Sequence, residues 1–74
     1  MPDHVHIEPL HEGKREHARE IVRKLEAHLG RRAEPTESGH RFELQGERER
    51  EATDFSGALD YLAPDWRDHV SMGL

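Results

Sequence analysis

The 74-residue chain contains no cysteine. Disulfides are thereby excluded as a source of stability, and thiolate zinc sites with them. Aromatic residues are scarce, with two Phe, one Tyr and one Trp, and only 32% of the residues are hydrophobic. A typical apolar share, counted with Gly, is about 45 to 50%, so the core must be small. No apolar run approaches the roughly 20 residues that carry a helix across a bilayer, and Met1-Pro2-Asp3-His4 lacks the basic start and apolar stretch of a signal peptide. The expectation is a soluble, cytoplasmic protein with no membrane role. Gly13, Gly30, Gly39 and Gly46 stand singly, which leaves no glycine-rich loop to cradle a phosphate. Ser38, Ser56 and Ser71 fall in a turn, in a helix and near the end, and none belongs to a nucleophile-and-base pattern. The chain is therefore read as non-catalytic and without a cofactor.

What is present in quantity is charge, 16 acidic against 11 basic residues and a net charge of −5. Affinity for phosphates comes from lysine and arginine displacing counterions, so an acidic balance argues against nucleic acid as the default partner. Arg15, Arg19, Arg23 and Arg31 form the one candidate nucleic-acid-binding set, but Glu12, Glu16, Glu20 and Glu26 are interleaved with them, as on a solvated helix face of mixed sign.

Periodicity supplies the elements. Val5-His6-Ile7 alternates, placing His4, His6 and Glu8 on the face opposite Val5 and Ile7, and Pro9 closes this first strand. From about Glu12 to Lys14 a helix begins, with Ala18, Ile21, Val22, Leu25 and Leu29 on one side and Gly30 as its left-handed terminus. A strand within Arg31 to Thr36 is confined to a sheet edge by Pro35; a turn at Glu37-Ser38-Gly39 leads to a third strand, Arg41 to Gln45, with Phe42 and Leu44 inward. The run Glu47-Arg48-Glu49-Arg50-Glu51 fits strand, loop or helix equally. A second helix is predicted from Asp54 to Leu62, with Thr53 or Asp54 as N-cap; Pro64 opens a short third helix, and Ser71-Met72-Gly73-Leu74 reads as a loose tail.

The predicted architecture is a single α+β domain over residues 1–74, in the order β-α-β-β-α. It is a two-layer sandwich in which two helices cover one face of a three-stranded sheet, with a short third helix at the C-terminus. If the first two strands are parallel neighbours, their crossover is right-handed.

Seven histidines are the compositional excess with chemical content. His4 and His6, two apart on a strand, point the same way and are the candidate metal ligands, with Glu8 or His11 near enough in sequence to add a third donor. The plainer account is an exposed strand face. Trp66 has two readings as well, a cap on the core or, with Tyr61 and Met72, a partner-binding patch of the kind aromatic residues make. A chain of this length buries only about 60% of its unfolded surface, and domains so small commonly need a metal or a partner. The expected role is therefore a small acidic protein-interaction module, self-associating as a homo-oligomer. The alternatives are histidine-based metal binding and nucleic-acid binding through the four arginines.

Overall fold

The computed structural model describes residues 4–73. Strand β1 (His4–Pro9) leads through a 3-10 turn at Glu12–Lys14 into helix α1 (Arg15–Leu29). Strands β2 (Glu34–Pro35) and β3 (His40–Glu43) form a hairpin, followed by helix α2 (Arg48–Leu62), a 3-10 turn at Trp66–Asp68 and strand β4 (Val70–Gly73).

The sheet has four strands, not three, in the order β2-β3-β1-β4, with every neighbouring pair antiparallel. The fourth strand takes Ser71 to Gly73 from the tail expected to be loose and adds Val70 before it; four residues with a single alternation, Val70 and Met72, are too few to announce a strand. Leu74 lies outside the described residues. The predicted third helix is one 3-10 turn, because only three residues separate Asp65 from the strand entry at His69. β1 and β2 run the same way but are not neighbours, since β3 lies between them. Likewise β3 and β4 are joined through α2 across β1. Two interleaved crossovers of this kind make the split βαβ arrangement.

Helix α2 starts six residues before the predicted Asp54, so the charged run is helical. Its acidic residues Glu49 and Glu51 occupy the first turn, where the helix dipole favours negative charge. Thr53 is interior to the helix and donates its hydroxyl to the Glu49 carbonyl at 3.1 Å. Helix α1 ends as its sequence implies: Gly30 has φ 65° and donates its N–H to Glu26 O at 2.9 Å.

The core lies between the sheet and the two helices. Val5, Ile7, Phe42 and Val70 meet Ala18, Ile21, Val22 and Leu25 of α1 and Phe55, Ala58 and Leu59 of α2. Phe42 and Phe55 contact edge to face, with ring centroids 5.2 Å apart. Trp66 closes one end of this layer, 5% exposed, its indole N–H donating to Asp60 Oδ1 at 2.8 Å and Arg67 stacking on the ring at 4.3 Å.

Gly57 sits inside α2 with open space where a side chain would project. Its replacement by alanine is expected to raise stability by about 0.5 to 1 kcal/mol by restricting the unfolded chain. A thermal unfolding midpoint that fails to rise contradicts this.

Candidate functional site

Alternation and register put His4, His6, Glu8, Glu34, Arg41, Glu43, Ser71 and Gly73 on the outer face of the sheet, away from the helices. Arg41 donates to Glu34 at 2.9 and 2.7 Å, an exposed cross-strand pair. The candidate ligands His4 and His6 lie side by side, ring centroids 6.2 Å apart. Among the described residues no group of three or more His, Asp or Glu side chains comes together to hold an ion. His11, one of the suggested third donors, instead caps the first 3-10 turn, its Nδ1 accepting from Gly13 N–H at 3.2 Å.

Two of the four candidate arginines already hold carboxylates. Arg15 Nε donates to Glu12 at 3.1 Å, and Arg31 reaches Glu51 through both terminal nitrogens at 3.1 and 3.3 Å. Arg19 and Arg23 have no ion-pair partner among the described residues. Tyr61, Trp66 and Met72 do not share one environment. Tyr61 is 77% exposed and tilts toward His28, Trp66 is in the core, and Met72 is half-buried against it.

Three features escaped the sequence reading. Glu51 is 5% exposed although it belongs to a run of charges. Its Oε1 accepts the Gln45 N–H at 2.8 Å, and with Arg31 it ties the start of α2 to the end of α1. The Gln45 N–H lowers its pKa below the usual 4.5; burial opposes this, and the Arg31 guanidinium adds to the lowering. His40 is inward, paired with Ile7 in register, and its Nδ1 is closed off from solvent without a partner. Alternation taken one step back from Phe42 would have placed it. His69 stacks on His17 with centroids 4.4 Å apart, and its Nε2 lies 3.0 Å from Asp65, whose pKa is lowered chiefly by that hydrogen bond.

The two sheet edges differ. β2 is two residues long, carries Pro35, and has the Arg41–Glu34 ion pair beside it, each a means of blocking further strand pairing. β4 has none of these. Val70-Ser71-Met72-Gly73 holds no charge and no proline. The Leu10 N–H donates to His69 O at 3.0 Å, so in the antiparallel alternation His69, Ser71 and Gly73 bond toward β1. The N–H and C=O groups of Val70 and Met72 therefore point outward from the sheet. Leu10, which follows β1 and pairs with His69 on the inner side of this strand, is 50% exposed.

No protein-family model, no curated protein and no solved structure matches the chain.

Proposed function

We propose that the chain is a small acidic, non-catalytic protein-interaction module that self-associates by antiparallel addition of β4 to β4 of a second copy. The observation that carries this reading is the unprotected β4 edge, set against the blocked β2 edge. Native sheets rarely leave an uncharged edge open, because its unpaired backbone groups invite any strand that can reach them.

A two-fold axis through Ser71 makes the edge self-complementary. Val70 then faces Met72 of the other copy and Met72 faces Val70, so all four outward backbone groups of each strand are paired. On the inner face both cross-strand pairs are apolar, extending the core across the junction. On the outer face Ser71 meets Ser71. The carboxylates closest to the axis in that row are the Glu8 side chains, one strand further in on each copy. Three strand spacings, about 14 Å, separate them, beyond the roughly 8 Å Debye length at physiological salt. A net charge of −5 thus leaves the junction itself neutral.

Sedimentation velocity over a concentration series is expected to show a monomer–dimer equilibrium. Ser71→Lys sets two ammonium groups against each other at the closest point while leaving an exposed position of the monomer otherwise unchanged. Dimerisation should weaken by about tenfold or more. A wild-type chain that stays monomeric at every concentration, or a Ser71→Lys variant that associates as before, removes the reading.

A further inference from the structure

Away from β4, the tip of the β2–β3 hairpin bends over the end of β1 and meets the first two turns of α1. Thr36 N–H donates to Gly39 O at 2.8 Å and Gly39 N–H to Thr36 Oγ1 at 3.0 Å, which fixes the tip. Between the two elements lies a groove of about 150 Å³, its lining including Arg15 and Arg19 of α1 and Thr36, Ser38, Gly39 and His40 of the hairpin. We infer that this groove binds a small tetrahedral phosphate dianion, the group shared by the free ion and a phosphomonoester.

Four observations converge on that chemistry. First, the lining holds two guanidinium groups and an imidazole but no carboxylate, in a chain with more acids than bases. Second, Arg19 has no ion-pair partner among the described residues, and Arg15 commits only its Nε, to Glu12. Arginines four apart on a helix share a face, so both guanidinium groups are carried on the side that meets the hairpin tip, and guanidinium forks suit tetrahedral oxyanions. Third, Thr36 uses its hydroxyl oxygen as an acceptor for Gly39, which leaves the hydroxyl hydrogen to donate, and Ser38 offers a second hydroxyl. Fourth, the Nδ1 of half-buried His40 has no solvent access, so Nε2 is the ring nitrogen available to a ligand. The volume sets the size of the guest: about 300 Å³ and upward is usual for drug-sized ligands, so this groove fits an isolated anionic group and not a nucleotide.

The source of that group is either free phosphate or a phosphorylated side chain, and one titration distinguishes them. The 74-residue chain, labelled with nitrogen-15, is titrated with inorganic phosphate and separately with O-phosphoserine at constant ionic strength, using chloride as the reference. The expected result is a saturable set of amide shifts confined to residues 15–19 and 36–40. Tighter binding of O-phosphoserine assigns the source to a modified side chain; equal or tighter binding of phosphate assigns it to the free ion. Arg19→Gln should weaken binding about tenfold, whereas Arg23→Gln, one turn further along α1 and outside the groove, should not. Shifts no larger than those with chloride, shifts spread evenly over the chain, or equal effects of the two substitutions would overturn the proposal.

Discussion

Gly39→Ala is expected to destabilise the fold by about 3 kcal/mol, because the added methyl has nowhere to go. A Cβ on Gly39 would run into the carbonyl oxygen of Ile7 and stand 2.9 Å from Glu8 Cα. Both obstacles are backbone of β1, one of the two interior strands and hydrogen-bonded on both sides, so neither can turn aside as a side chain would. The backbone of Gly39 has a negative φ and poses no conformational demand; the close approach alone requires glycine there. Stability for a domain of this length is about 4 to 11 kcal/mol, so the substitution removes a large part of it. Urea unfolding of the variant gives the value directly. A loss under about 1 kcal/mol would mean that the hairpin tip can shift away from β1 at little cost.

The second large effect belongs to Glu51. Its replacement by alanine leaves the Arg31 guanidinium partly buried without a carboxylate and the Gln45 N–H without its acceptor, and a loss of about 3 to 4 kcal/mol follows. Removing Arg31 together with Glu51 should cost less than the two single losses combined, with a coupling of at least about 1 kcal/mol, since neither charge is then stranded. Full recovery is not expected, because Gln45 remains unpaired. The pH dependence has a definite sign. Glu51 has its pKa lowered in the folded state, so its contribution is complete above the usual 4.5 and is lost as the pH falls through the depressed value. Wild-type stability should therefore decline on acidification in that window more steeply than that of Glu51→Ala. Parallel pH profiles, or additive single and double losses, would show that the pair does not join α1 to α2.

How much of this could be read from residues alone depended on whether a signal repeats. The α1 stripe recurs over about three turns, and Val5 with Ile7 and Phe42 with Leu44 each complete an alternation, so the helix, the two strands they mark and the turn before His40 emerge from pattern. The beginning of α2 did not, because its inward-facing member is Glu51, which in a run of charges looks like every other solvated residue. β4 was lost for want of length, and with it the sheet order, since pairing partners far apart in sequence leave no local trace. The candidate surfaces share that limit. The bare edge exists only once β4 is known to be a strand, and the basic groove needs the hairpin tip laid beside Arg15 and Arg19. Histidine and tryptophan stand out in the composition by number or rarity, yet Trp66 serves the core, and the informative imidazole is His40, beside a turn glycine.

The sheet order has a bearing on how the molecule is made. Val5 finds Phe42 across 37 positions and His6 finds Gly73 across 67, whereas among the described strands only the β2–β3 hairpin joins neighbours in the chain. Both flanks of β1 must therefore wait for distant segments, each closing a long loop at an entropic cost that nearby contacts do not share. Folding is correspondingly slower than for a helical chain of equal length, and while it lasts β1, with its apolar Val5 and Ile7, is the segment most exposed to pairing with a wrong partner.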